Sequence, residues 1–159
     1  MKAIQDYYPE EFAHCFGCGY ANPKGLHLKS YVEGNMTVAR FTADASLSGG
    51  HPGNAYGGLI ASLLDCHGTA SAAAFAYRER ARAFGDDLPA IRFVTASLKI
   101  DYKRPTPLGV ELVITGELVS LKDRKAIVAL SLTADGKECA TGEMVAVEPL
   151  RSPPASVAA

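Results

Sequence analysis

The stretch GGLIASLLDCHGTASAAAFAY, residues 57–77, decides the fold, because it is an apolar run long enough to form a helix through the core of a domain. The glycine pair Gly57-Gly58 opens it, and Asp65 and His67 interrupt it near the middle. A membrane span has a similar length, but a central charge is costly in hydrocarbon and rarely occurs there unpaired. We therefore predict a buried helix of a soluble domain and no membrane partner.

Strand-like segments lie on both sides of this helix. Before it, residues 26–32 and 36–42 flank the turn Glu33-Gly34-Asn35, which predicts a hairpin. After it, turn sequences separate four segments, at residues 91–102, 110–121, 125–133 and 138–147. One apolar helix among antiparallel strands favours an α+β fold, in which a curved antiparallel sheet wraps around one long central helix. The unpaired edges of such a sheet favour a dimer joined edge to edge.

The chain is expected to form a single domain over residues 1–148. Residues 1–25 are punctuated by turn sequences and predict an irregular lead-in with a short helix near residues 9–13. The charged segment 78–87 either extends the central helix or caps it. Residues 149–159 are rich in proline and alanine and predict a flexible tail.

Composition narrows the class of partner. The 159 residues include 16 Lys and Arg against 17 Asp and Glu, and the net charge of -1 gives no reason to expect a nucleic-acid partner. The N-terminal residues lack the apolar core of a secretory signal, and four cysteines in a chain of this length do not make a disulfide scaffold. We expect a cytoplasmic protein with reduced thiols.

Asp65 is the sharpest functional feature of the helix. An unpaired carboxylate costs several kcal/mol to bury, so it must find partners or face a wet pocket. Ser62 and Thr69 lie one turn away and offer a purely structural explanation, in which their hydroxyls satisfy Asp65. The functional explanation is a general base or a nucleophile. His67 lies about 200° around the helix from Asp65, so the two do not form a catalytic pair, and a hydrogen-bonded core or interface role fits His67 better.

The entrance of the helix is a second candidate. Gly57 and Gly58 leave the unpaired N–H groups of the first turn accessible, which suits an anion or an oxyanion, although glycines also permit close packing. His51 lies in the loop that precedes the helix, where functional residues often occur. Residues 70–74 make the second half of the helix slender, and this favours close packing against the sheet over room for a ligand beside the helix.

The cysteines predict a turn rather than a metal or redox centre. Cys15 and Cys18 form one C-x-x-C pair, while Cys66 and Cys139 stand alone in the sequence. A structural zinc site usually shows four recognisable ligands.

Three motifs together resemble a known family. They are His14-Cys15-Phe16-Gly17-Cys18-Gly19 with Asn22-Pro23-Lys24-Gly25-Leu26, then residues 57–65, and finally residues 95–105, which end in Tyr-Lys-Arg-Pro. In this order and spacing the chain resembles the hotdog-fold acyl-CoA thioesterases of the phenylacetate-degradation branch, from about Cys15 to Val147. The resemblance implies a hotdog fold and hydrolysis of an acyl-CoA thioester, with no cofactor and no metal.

The resemblance also implies roles for individual residues. The backbone N–H of Gly57 polarises the thioester carbonyl, Asp65 attacks it or activates water, and Thr95 holds that water. Lys103 and Arg104 contact the CoA portion.

The loop ahead of the helix departs from the family. Tyr56 stands where the family commonly has a histidine, and Gly50 stands where many members have an asparagine. We expect Asn54 or His51, from the same loop, to replace the family's histidine and asparagine. Tyr56 and Gly58 are the other candidates for substrate binding in this region.

Helix geometry adds an expectation of its own. Gly57 and Asp65 are about 12 Å apart along a helix, too far to act on one thioester carbon. Two antiparallel helices would set Gly57 of one subunit opposite Asp65 of the other, so we expect a homodimer or a dimer of dimers. A non-catalytic acyl-CoA or fatty-acyl binding protein is the main alternative. A hydratase, which usually needs an Asp-His pair, and a purely structural dimer are the others.

Overall fold

The computed structural model describes residues 2–150, in which six antiparallel strands form one curved sheet around a single long helix. The helix α1 spans Gly57–Glu79. The strands are β1 (Ser30–Glu33), β2 (Met36–Thr42), β3 (Val94–Tyr102), β4 (Glu111–Lys122), β5 (Lys125–Ala134) and β6 (Lys137–Val147). Their order in the sheet is β1-β2-β4-β5-β6-β3. This is the hotdog fold, and the predicted α+β class is confirmed. Most of the predicted tail, from residue 151 onward, lies outside the described residues.

Helix α1 fills the concave face of the sheet and packs against β4, β5 and β6. Its leucines supply the centre of the core, since Leu59, Leu63 and Leu64 are fully buried. The helix approaches the sheet closely at Gly68, since a Cβ at this position would lie 2.6 Å from the sulfur of Met144 on β6. In the second half of the helix Ala70, Ala72, Ala74 and Ala76 are buried, as close packing requires, while Ala73 also borders a cavity. Within residues 2–150, α1 is the one helix long and apolar enough to cross a membrane, and 78% of its most apolar window is buried inside the fold.

The strands after the helix form a meander whose turns match the sequence. Asp135 and Gly136 both have positive φ, as a two-residue type I′ hairpin turn requires. Three bulges, in the β3–β6, β4–β5 and β5–β6 pairings, bend the sheet around the helix. Strands β1 and β3 are the two edges, and within residues 2–150 the outer side of the nine-residue strand β3 has no partner strand.

Two strands begin later than predicted, because residues at their predicted starts bond to other parts of the chain. The predicted strand 26–32 begins only at Ser30, because Leu26 and Leu28 donate their N–H groups to the carbonyls of Phe16 and Gly17 instead of to a neighbouring strand. The predicted strand 91–102 begins at Val94, since the Ile91 N–H donates to the hydroxyl of Tyr77.

The helical predictions also need correction. The charged segment 78–87 does not extend α1 by more than two residues, since the helix ends at Glu79 and Ala81 has a φ of 50°. The short helix expected near residues 9–13 is a single 3-10 turn, Glu10–Phe12. Two further 3-10 turns, Ile4–Tyr7 and Ala45–Leu47, were not expected.

Candidate active site

Asp65 is held by a residue from another element and not by its neighbours on the helix. The hydroxyl of Thr95, on β3, donates to Oδ1 of Asp65 at 2.5 Å. Ser62 donates instead to the carbonyl of Gly58, and Thr69 donates to the backbone carbonyls of Asp65 and Cys66. Within residues 2–150 no donor lies on Oδ2. The explanation of Asp65 as a carboxylate satisfied by Ser62 and Thr69 is therefore wrong.

The half-buried carboxylate of Asp65 borders a cavity of about 120 Å³ between α1 and the N-terminal lead-in. Thr69 and Ala73 continue the helix side of this cavity. The opposite walls carry aromatic and aliphatic side chains, and one cation stands among them. These residues are Tyr8, Phe12, Ile91, Phe93 and Arg92. An apolar cavity with one convergent carboxylate has the composition of a small-molecule site.

The entrance of α1 presents two unused backbone donors. The N–H groups of Gly57 and Gly58 make no hydrogen bond within residues 2–150, as expected for the first helical turn. The hydroxyl of Tyr102, at the end of β3, donates to the Gly57 carbonyl at 2.9 Å and fixes this turn to the sheet. The ring of Tyr56 lies over Gly58, where an added Cβ would come within 2.4 Å of it. Gly58 is therefore needed for the stacked position of Tyr56.

The two basic residues lie beside this entrance. Lys103 and Arg104 line a second cavity of about 350 Å³ together with Gly57. Lys103 is paired with Glu138 at 2.9 Å, whereas no carboxylate of residues 2–150 lies within ion-pair distance of Arg104. Arg104 is thus the cation of this pair that is available to a ligand.

The loop ahead of α1 places two other candidates in mutual contact. The side-chain amide of Asn54 lies 3.3 Å from Nδ1 of the exposed His51, and the carbonyl of Asn54 accepts the N–H of Gly49. Neither side chain borders the two cavities described above. In the single chain they are brought together with each other and not with Asp65.

His67 belongs to the core, as expected. Its ring is fully buried, and Nδ1 lies 2.9 Å from the hydroxyl of Ser30 while Nε2 lies 3.2 Å from that of Thr37. Burial lowers the pKa of His67 to about 4, so the ring is neutral at physiological pH. The predicted separation of His67 from Asp65 is confirmed.

The cysteines are not arranged as the sequence suggested. The sulfur of Cys66, on α1, lies 3.6 Å from that of Cys15, and the sulfurs of Cys15, Cys18 and Cys66 all lie within 4.8 Å of one another. Hydrogen bonds from the thiols of Cys18 and Cys66 lower the pKa of Cys15 to about 2. The same bonds to Cys15 raise the pKa of Cys18 to about 12 and raise that of Cys66 well above its usual range. The view of Cys66 as an isolated cysteine is wrong.

The structure does not bring the predicted residues into one site within a chain. Gly57 and Asp65 lie on one unbroken helix, which separates them by about 12 Å. The sequence did not predict the contact of Tyr102 with Gly57 or that of Cys66 with Cys15. Tyr102 lies in the Tyr-Lys-Arg-Pro segment, which gave a signal, but nothing in the sequence joined Cys66 to a loop some 50 residues away.

Comparisons with known proteins identify the family of the chain. The model of the thioesterase superfamily matches residues 52–140, which is more than half of the chain. A thioesterase superfamily protein from Shewanella loihica PV-4 is 42% identical, with 90% of this chain and 100% of that chain covered and a TM-score of 0.67. No protein with curated function matches the sequence.

Two more distant structures share the fold. The PaaI protein of the Escherichia coli phenylacetic acid degradation operon has a TM-score of 0.60 at 19% identity, with 80% of this chain and 83% of that chain covered. A hypothetical thioesterase from Streptococcus pneumoniae TIGR4, solved with coenzyme A, has a TM-score of 0.63 at 16% identity, with 84% and 94% covered.

The fold is that of the hotdog thioesterases. The chain belongs to the thioesterase superfamily. The resemblance drawn from the sequence motifs is thereby confirmed at the level of the family.

Proposed function

We propose that this protein hydrolyses acyl-CoA thioesters to the free acid and coenzyme A, at sites formed between two copies of the chain. The observation that carries the proposal is the position of Asp65. Its carboxylate borders an apolar cavity and is held by Thr95, while the hydroxyls of its own helix bond elsewhere. Membership of the thioesterase superfamily supports the reaction class.

In the proposed reaction Asp65 acts on the thioester carbonyl through Oδ2, the oxygen that Thr95 leaves free. As a base, Asp65 takes a proton from water, whose oxygen attacks the carbonyl carbon. As a nucleophile, it forms an anhydride that water then hydrolyses. In both cases the C–S bond breaks, and the thiolate of coenzyme A leaves and takes up a proton. The hydrogen bond from Thr95 positions the carboxylate.

The oxyanion that develops on the carbonyl is assigned to the N–H of Gly57. This group is unbonded in the chain and lies at the positive end of a helix of 23 residues. The adjacent cavity, with Arg104 at its edge, suits the phosphates of coenzyme A. A structural neighbour from Streptococcus pneumoniae was solved with coenzyme A, which agrees with this choice of ligand.

A dimer is needed because Gly57 and Asp65 are too far apart along one helix to act on one carbon. Two features of the chain support it. Strand β3 is an edge of nine residues with few charges, a surface that proteins generally cover. The partly exposed residues Gly58, Ser62, Asp65 and Thr69 also form one stripe along α1, on which a second helix can lie.

The test is release of free thiol from a panel of short, aromatic and long acyl-CoAs. Asp65→Asn is expected to lower turnover at least about 100-fold with the oligomer intact. Asp87→Asn, which changes an exposed carboxylate in the loop between α1 and β3, is the matched control and should leave turnover unchanged. Full activity of Asp65→Asn would contradict the proposal. A rise in melting temperature with acyl-CoA but without thiol release would indicate the non-catalytic binding protein instead.

A further inference from the structure

Three cysteine sulfurs meet beside the Asp65 cavity, at the junction of the lead-in with α1. Cys15 and Cys18 come from the lead-in loop and Cys66 comes from the helix, and all three line the cavity. Their sulfurs lie within 4.8 Å of one another, with 3.6 Å between Cys15 and Cys66. In a tetrahedral site with metal–sulfur distances of about 2.3 Å, the sulfurs are about 3.8 Å apart. The spacing of the three sulfurs is therefore close to that of three ligand atoms in such a site.

The loop that carries Cys15 and Cys18 is built to bring its backbone against Cys66. A Cβ on Gly17 would lie 2.3 Å from the sulfur of Cys66, and one on Gly19 would lie 2.2 Å from the carbonyl oxygen of Ala13. A side chain at Gly19 would require movement of the backbone, and a side chain at Gly17 would displace the sulfur of Cys66. The loop is closed by the N–H of Gly19, which donates to the Cys15 carbonyl at 2.8 Å.

The rest of the lead-in fixes this loop in place. The carbonyls of Phe16 and Gly17 accept the N–H groups of Leu26 and Leu28 at 2.7 and 3.0 Å. Cysteine binds a metal ion as the thiolate. The thioesterase chemistry proposed above uses none of these features.

We propose that Cys15, Cys18 and Cys66 bind one thiophilic divalent cation, of which zinc is the natural candidate. Cysteine thiolates are the ligands that select zinc over magnesium or calcium. The cation binds three thiolates, and each ligand that is a thiol beforehand releases its proton to solvent. Three protein ligands leave the fourth position of a tetrahedron facing the cavity, for water or another ligand. The cation fastens the lead-in to α1 and takes no step in thioester hydrolysis, so the proposal stands apart from the proposed function.

The test is metal binding by the full-length chain, measured without reference to activity. The purified protein is analysed for zinc, then stripped and titrated with cobalt(II), whose thiolate complexes give a charge-transfer absorption band. We expect one cation per chain for the wild type. Cys15→Ser removes the exposed ligand and should weaken cobalt binding by at least about 10–100-fold. Mutation of a residue that only hydrogen-bonds to a metal ligand already lowers metal affinity by about this factor.

The fourth cysteine supplies a matched control. Cys139 is buried on β6, where its thiol donates to the Lys137 carbonyl, and it is not part of the cluster. Cys139→Ser should bind one cobalt as the wild type does. Circular dichroism of each variant confirms that it is folded. Should stripped wild-type protein bind no cobalt, or should folded Cys15→Ser bind it equally well, the proposal is overturned. A disulfide within the cluster of protein purified without added oxidant, seen as a mass two units lower, would also overturn it.

Discussion

The hydroxyl of Thr95 donates to the carboxylate of Asp65 across the gap between strand β3 and helix α1. Thr95 is the first residue of the bulge in the β3–β6 pairing, between Thr95 and Ser97. One edge strand thus orients the carboxylate of the central helix. We also propose this edge strand for the dimer contact, so the proposed assembly and the orientation of Asp65 involve the same strand.

Removal of the Thr95 hydroxyl should slow turnover and spare the fold. Thr95→Ala is expected to lower kcat about tenfold, because a hydrogen bond to a charged group contributes of the order of 1.5–3 kcal/mol and this one lies at an exposed position. Thr95→Ser keeps the hydroxyl and should retain most of the activity. Thr42→Ala removes an exposed threonine hydroxyl at the end of β2 and serves as the control. Equal kcat values for Thr95→Ala and the wild type would contradict the role of Thr95.

The fold could be predicted from the sequence wherever local pattern and tertiary pairing agree. The meander after the helix was placed to within a few residues, because turns such as Asp135-Gly136 punctuate alternating strands. The start of β1 was not, because Leu26 and Leu28 bond to the loop at Phe16 and Gly17, and His27 between them has a φ of 54°. Alternation alone does not show which partner an extended segment will choose.

The candidate site divides in the same way. Asp65 was visible as a carboxylate in an apolar helix, and the resemblance to a family pointed to Thr95. Cys66 was missed because its partners are 51 and 48 residues away, and a cysteine on a buried helix face has no local signal of its own. Contacts of that kind depend on how the lead-in folds back over α1.

The proposed oxyanion role of Gly57 can be tested with proline, whose backbone nitrogen carries no hydrogen. Gly57 is the first residue of α1, where proline is well tolerated, and Tyr56 before it is already extended, with φ -72° and ψ 150°. Gly57→Pro should therefore keep the helix but lower kcat about 100- to 1000-fold, as loss of an oxyanion donor does. Kinetics are measured beside circular dichroism and the oligomeric state.

Gly57→Ala is the matched control for the proline variant. It keeps the N–H, and its Cβ would meet the Tyr102 hydroxyl at 3.5 Å, an ordinary contact. Activity close to that of the wild type is expected. If Gly57→Ala and Gly57→Pro lowered kcat equally, the effect would come from the added side-chain atoms, and the oxyanion role of the N–H would be contradicted.

The buried His67 should make the fold sensitive to mild acid. Its pKa is about 4 in the folded protein and near 6.5 in the unfolded chain, so between these values the unfolded state binds more protons. The contribution of His67 to stability is complete above pH 6.5 and is lost as the pH falls toward 4, by up to about 3 kcal/mol. Urea unfolding at pH 7.5 and pH 5 measures this change.

Variants separate His67 from the carboxylates that titrate in the same range. His67→Gln should be less stable at pH 7.5 and should lose less stability on going to pH 5. His14→Gln, at an exposed position, should keep the wild-type pH dependence. An unchanged difference between the two pH values in His67→Gln would show that other groups cause the acid sensitivity.

Mixed dimers decide whether each site draws on two chains. If Gly57 of one subunit acts with Asp65 of the other, a dimer of one Gly57→Pro chain and one Asp65→Asn chain contains one intact site and one doubly altered site. Equal amounts of the two inactive variants, unfolded and refolded together, should regain about a quarter of wild-type activity, because half of the dimers are mixed and each has one working site of two. Each variant refolded alone is the control. Two-tag purification of the mixed dimer should raise this to about half. If the mixed dimer stays as inactive as its parents, each site lies within one chain and the shared-site proposal is wrong.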